Sequence, residues 1–166
     1  MFKTRLLSGI VLVILAILLI VCGGNVLLAG LGVISLIGMK ELYRVLGVHK
    51  SMHGMTGYLA AVLYYVNLLL GFIPDQRMLF LGFLIVLLFV YVFSYPKYDA
   101  KQIMTVFFGL FYVAMMLGYV YEIRLLNNGK YLAFLVFFCS WGCDTCAYCV
   151  GKLIGKHKMV PVLSSK

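Results

Sequence analysis

Charged side chains are scarce: they make up 11% of the 166 residues, against about 25% in an ordinary soluble domain. Acidic ones are scarcer still, five Asp and Glu in all. Hydrophobic residues reach 64%, and a core cannot hide them, because a domain of about 150 residues still exposes roughly a third of its unfolded-chain surface. A water-soluble globule is thereby excluded, and the missing solvent is lipid. No internal repeat, low-complexity tract or long linker appears, so the chain reads as one membrane domain over residues 1–166. What charge there is leans one way. Fourteen Lys and Arg give a net charge of +9, which admits nucleic acid, anionic headgroups and phosphorylated substrates as partners; the hydropathy favours the last two, so no nucleic-acid partner is expected.

About 20 apolar residues cross the roughly 30 Å of a bilayer's hydrocarbon. Six runs qualify: Leu6–Cys22, Asn25–Met39, Gly57–Ile73, Met78–Tyr95, Ile103–Tyr121 and Tyr131–Gly151. The second is short and Gly-rich, and its inner end is expected to take in the amphipathic stretch Lys40–Leu46. The expected fold is therefore all-α, a polytopic integral membrane bundle of six transmembrane helices. With the N-terminus in the cytoplasm, six crossings put Lys3, Arg5, Lys40, Arg44, Lys50, Lys97, Lys101, Lys152, Lys156, Lys158 and Lys166 inside and only Arg77, Arg124 and Lys130 outside. That asymmetry follows the positive-inside rule and places both termini in the cytoplasm. The first run is longer than the 7–15 or so residues of a signal-peptide core, and no A-x-A-like cleavage site follows it. It reads as a retained anchor.

An ionisable residue inside a membrane segment costs about 2.5–3.5 kcal/mol on insertion scales and so marks function by default. Asp144 is the clear case. At 100° per residue Trp141, Asp144, Tyr148 and Gly151 share one helix face, with packing against a neighbouring helix as the plain alternative. The segment Gly151-Lys152-Leu153-Ile154-Gly155-Lys156-His157-Lys158 follows at once. Its lysines could bind polyphosphate while Asp144 holds magnesium, an ion commonly bound through one or two carboxylates, substrate phosphates and water. The competing reading is a basic anchor on anionic headgroups. Gly155-Lys156 is not a P-loop, because the glycine spacing is one residue short, His157 replaces the hydroxyl residue and a membrane helix precedes it instead of a strand.

Cys139, Cys143, Cys146 and Cys149 invite a zinc reading. A continuous helix would hold the first and last about 15 Å apart, while thiolates sharing one zinc lie within roughly 4 Å of each other. They are expected to pack structurally on the face opposite Asp144. His49 and His53 have a metal-compatible spacing, but Gly47 and Gly54 argue against a continuous helix between them, and no carboxylate or cysteine companions accompany them. Glu41, in Lys40-Glu41-Leu42-Tyr43-Arg44, lies at the inner membrane edge, as a site residue or as half of a local ion pair.

The C-terminal stretch resembles the bacterial phosphatidate cytidylyltransferase family, also called CDP-diacylglycerol synthase. The resemblance runs through Trp141-x-x-Asp144-Thr145-x-Ala147-Tyr148-x-x-Gly151-x-x-x-Gly155-Lys156-His157-Lys158-x-x-Pro161-x-x-Ser164, with Glu41-Leu42-Tyr43, Gly109-Leu110-Phe111-Tyr112 and Arg124 upstream. Where the family continues Ser-Pro-Lys-Lys-Thr, Ser165 stands at the proline position before Lys166. The family's later signature, rich in Lys, Asp, His-Gly-Gly and Asp-Arg, is absent from these residues. The resemblance implies transfer of a cytidylyl group from CTP to phosphatidate with release of pyrophosphate, a Mg2+ cofactor, a bacterial inner-membrane location and a homodimer. It implies Asp144 as catalytic metal ligand, and Lys156, Lys158, Ser164 and Lys166 as phosphate-binding residues. It also implies that further metal partners lie in the family's C-terminal part, which this chain is expected to lack, so that it is expected to be inactive or nearly so alone. Two other classes fit parts of the sequence: a non-catalytic scaffold or transporter-like subunit, and a nucleotide-dependent polyprenol kinase.

The topology is tested by cysteine-accessibility labelling at positions 128 and 165. Asn128→Cys and Ser165→Cys are expected to label from opposite sides; labelling from one side would reject six crossings.

Overall fold

A computed structural model describes residues 2–153, apart from the side chains of residues 2–6, 8 and 152. The described chain is a bundle of six helical rods without strands. In order they are α1 (Phe2–Cys22), α2 (Gly24–Val45), α3 (Met52–Leu70), α4 (Gln76–Ser94), a long rod made of α5 (Ala100–Gly109), a π-helical segment (Leu110–Met115) and α6 (Met116–Leu125), and α7 (Gly129–Leu153). Each rod coincides with one of the six apolar runs. Among the described residues, four rods are long and apolar enough to cross a membrane: α2, α4, the α5–α6 rod and the Gly129–Gly151 part of α7. α1 contributes a shorter apolar stretch, Gly9–Cys22.

Local signals move the ends away from where hydropathy alone puts them. α2 runs on to Val45, taking in most of the amphipathic stretch. α3 starts five residues before its apolar run because Ser51 caps it, its Oγ accepting the Gly54 N–H at 3.0 Å. It stops at Gly71, whose φ of 67° lets its N–H return to the Asn67 carbonyl. Asp75 caps α4, accepting the Arg77 N–H at 3.0 Å and pairing with the Arg77 guanidinium at 2.9 Å. That guanidinium holds the Asp75 carboxyl below the usual range.

Cross-bundle contacts define two ends. At one, the Arg124 Nε donates to the Ile20 carbonyl at 3.0 Å, closing the last turn of α1, and the Gln76 side chain hydrogen-bonds Glu122. At the other, where α2 ends and α3 begins, the buried His53 meets the Tyr98 ring edge-on, centroids 4.5 Å apart. Lys40, Arg44, Lys50, Lys97 and Lys101 lie toward this second end, which is the basic end.

The core lies where α2, α3 and the α5–α6 rod cross, and tyrosines fill it. Tyr43 is wholly buried, and its hydroxyl donates to the Val106 carbonyl at 2.7 Å. A methyl group at Gly57 would come within 2.6 Å of that hydroxyl, and one at Gly109 would strike the Tyr43 ring. Tyr65 donates to the Ala114 carbonyl at 3.1 Å, inside the π-helical segment. Wider i→i+5 turns disturb the regular backbone ladder, and a phenol donor serves that backbone where water is absent. The outer surface is apolar: α4 buries only Phe83 and Leu87, while Leu81, Ile85, Val86, Phe89, Val92 and Phe93 are exposed. Such a surface suits acyl chains and not water.

Tyr43→Phe removes one buried hydrogen bond and is expected to lower stability by about 0.6–1.5 kcal/mol. Gly109→Ala overfills the same crossing and is expected to cost about 1–3 kcal/mol. Both are read as unfolding of the detergent-solubilised protein in graded SDS; unchanged stability of Gly109→Ala would mean that Tyr43 moves aside freely.

Candidate functional site

α7 packs on α6 and α1 through one stripe. Ala133 is buried, and Phe137 and Trp141 follow at four-residue intervals, half-buried, with centroids 5.5 Å apart. They line a cavity of about 250 Å³ with Leu12, Leu19, Leu31 and Leu117. Beyond Gly142 the stripe ends, and residues 143–151 are all exposed. The face expected to hold Trp141, Asp144, Tyr148 and Gly151 is therefore divided. Trp141 anchors the helix to the bundle, while Asp144, Tyr148 and Gly151 stand clear of it.

Asp144 sits nine residues before the described end of α7, about 13 Å at 1.5 Å per residue, in the half of the helix toward the basic end. Among the described residues the one ion pair is Arg77–Asp75, so the alternative of Asp144 paired to a neighbouring helix finds no support there. No group of three or more His, Cys, Asp or Glu side chains that could hold a metal occurs among the described residues. Its one accessible carboxylate fits the sparse protein ligation that magnesium accepts beside substrate phosphates and water, not an all-protein cage. Lys156, Lys158, Ser164 and Lys166 lie outside the described residues, as does the side chain of Lys152.

The cysteines do not take the packed positions expected of them. Cys139, Cys143, Cys146 and Cys149 are all exposed free thiols. They were expected to pack against a neighbouring helix, but the contact stripe of α7 runs along Ala133, Phe137 and Trp141, and no described element reaches the thiol face. His49 and His53 lie on either side of the Ser51 cap, so no helix joins them; His53 is spent on packing against Tyr98. Glu41 is exposed and joins no ion pair among the described residues. Arg124, part of the upstream resemblance, closes the end of α1, and Gly109 makes room for Tyr43. Tyrosines and phenylalanines are expected to face lipid or pack in the core, but composition does not single out Tyr43, Tyr64 and Tyr65; glycines on the facing helices, at 57, 109 and 118, are the available signal, the last lying against the Tyr64 hydroxyl.

Fold and surface together define a helical, polytopic membrane protein with a carboxylate-bearing helix facing away from its own bundle. The chain belongs to the cytidylyltransferase family, whose model matches residues 3–166. It is similar to proteins named phosphatidate cytidylyltransferase. The one from Staphylococcus aureus (strain COL) is 28% identical over 166 residues, covering 98% of this chain and 63% of the relative. Those from Staphylococcus haemolyticus and Staphylococcus saprophyticus subsp. saprophyticus are 26% and 27% identical, with the same shares covered. The chain thus spans 63% of the length of these curated relatives. No solved structure matches it.

Replacing Cys143 and Cys146 by alanine is expected to leave folding and metal content unchanged. Stoichiometric zinc in the parent protein, lost on that substitution, would assign these thiols a metal.

Proposed function

We propose that this chain contributes the membrane bundle and part of the active site of a CTP:phosphatidate cytidylyltransferase in phospholipid biosynthesis. The observation that carries this reading is the family match along residues 3–166, which includes the ordered motif from Trp141 to Ser164. In the reaction a phosphate oxygen of phosphatidate attacks the α-phosphorus of CTP, the bond to the β-phosphate breaks, and CDP-diacylglycerol and pyrophosphate form. The exposed position of Asp144 supports a role in which its carboxylate holds Mg2+. When bound, that ion supplies charge neutralisation to the phosphates. Lys156 and Lys158 are assigned the same task as side-chain cations, with Ser164 and Lys166 as further phosphate contacts. A lipid substrate arrives from the bilayer and a nucleotide from water, so the site belongs at the membrane edge. The distribution of basic residues supports a bacterial cytoplasmic membrane orientation with both termini inside. Homodimer formation is part of the same proposal.

One carboxylate and a few lysines do not align two phosphate-bearing substrates by themselves. The purified chain is therefore expected to show little or no CDP-diacylglycerol formation from CTP and phosphatidate. Joining to it the part of a curated relative that it does not span is expected to give turnover. In that protein Asp144→Asn, which keeps the size and removes the charge, is expected to lower turnover by about 10²-fold or more. Robust activity of the 166-residue chain would refute the partial-site assignment, and full activity of the joined Asp144→Asn protein would refute the metal assignment. Nucleotide-dependent turnover of a polyprenol instead of phosphatidate would replace the reaction.

A further inference from the structure

Between α2 and α3, at the basic end, an open groove encloses about 590 Å³, within the range of ligand pockets, about 300–1,000 Å³. Its lining is mostly apolar, Met55 included, with its polar groups at one end. Leu36, Leu59 and Val62 form the part toward the bundle's middle, and Lys40, one turn beyond Leu36, with His49 of the α2–α3 reversal, forms the end. Tyr58 lines it as well, its ring held by the buried Tyr43, centroids 5.2 Å apart.

The charges are unbalanced there. Arg44 lies one helical turn beyond Lys40, and Lys50 follows His49, against Glu41 as the neighbouring acid. None of these joins an ion pair among the described residues. The apolar end opens sideways, since Leu59 and Val62 are themselves exposed on the outer face of α3. A free phosphate would touch only the cationic end and leave the apolar length empty. A ligand that fills both halves must carry a negative headgroup on a hydrocarbon chain.

We propose that the α2–α3 groove binds one anionic phospholipid, its phosphate against Lys40 and His49 and an acyl chain along Leu36, Leu59 and Val62. The site uses no residue of α7 and does not depend on the nucleotidyl-transfer reading, so either can fail alone.

The test is native mass spectrometry of the full chain released from detergent with dioleoyl phosphatidylglycerol, an anionic lipid that is not the substrate proposed above, or with dioleoyl phosphatidylcholine. The parent protein is expected to retain phosphatidylglycerol preferentially. Lys40→Gln with His49→Gln is expected to lower that retention about tenfold, the effect of one or two charge-assisted hydrogen bonds, with phosphatidylcholine unaffected; Lys40→Arg is expected to keep it. Retention unchanged in the double variant, or lost equally for both lipids, would overturn the site. Displacement of the lipid by an equal concentration of glycerol 3-phosphate would overturn it in favour of a simple phosphate site. A phosphatidylglycerol carrying a diazirine in its acyl chain gives a check that needs no variant: cross-links in the parent protein are expected at Leu59 and Val62, and cross-links confined to other helices would reject the groove.

Discussion

The wedge of Tyr43 between α3 and α5 is the contact on which the bundle depends. Lipid tails are as apolar as leucine, so helices in a bilayer gain little from hiding hydrocarbon from one another and are held by close packing and polar contacts. Tyr43 supplies both. Its ring occupies space that Gly57 and Gly109 leave vacant, and its hydroxyl reaches the Val106 carbonyl at 2.7 Å. Tyr64 repeats the packing against Gly118, and Tyr65 repeats the hydrogen bond at Ala114. Three phenols thus tie α2 and α3 to one long rod. The π-helical segment lies between these ties, where a widened turn can be held by neighbours on both sides.

That hub also orders what lies outside it. Tyr58 packs on Tyr43 and forms part of the α2–α3 groove, so the groove's wall is fixed by the core. At the far end Arg124 joins α6 to the last turn of α1, which sets the start of α7 through a short connection. The direction of α7 then follows from its own stripe of Ala133, Phe137 and Trp141 against α6 and α1. Position along the bundle is inherited in steps, from buried phenol to rod to carboxylate-bearing helix.

Hydropathy made the six rods legible because crossing hydrocarbon imposes a length, and a length can be counted along a sequence. It could not fix ends, which depend on single residues such as Ser51, Gly71 and Asp75. Nor could it reveal the π-helical segment, since Leu110–Met115 is as apolar as the turns flanking it. A helical wheel separates the thiols from Asp144, but it carries no information about neighbours. That is why the cysteines were expected in a packed interface and why Trp141 was grouped with residues from which the bundle divides it. The basic candidates after α7 fall beyond the described residues, so the legible part of the candidate site is Asp144 with Tyr148 and Gly151.

The exposed surfaces of α4 and α7 differ in chemistry, and that difference bears on function. On α4 the exposed side chains are Leu, Ile, Val and Phe, which lie against acyl chains without cost. On α7 every residue from Cys143 to Gly151 is exposed, so the helix shows Asp144, Tyr148 and Gly151 on one side and the small Cys146 and Cys149 on the other. A carboxylate facing hydrocarbon would cost about 2.5–3.5 kcal/mol on insertion scales, and small side chains offer lipid little contact. Such a helix is suited to another polar surface or to a water-filled cleft, where its small residues allow close approach. The stripe that ends at Gly142 therefore does more than attach α7. By releasing the helix from its own bundle at that point, it presents Asp144 to something other than the six rods.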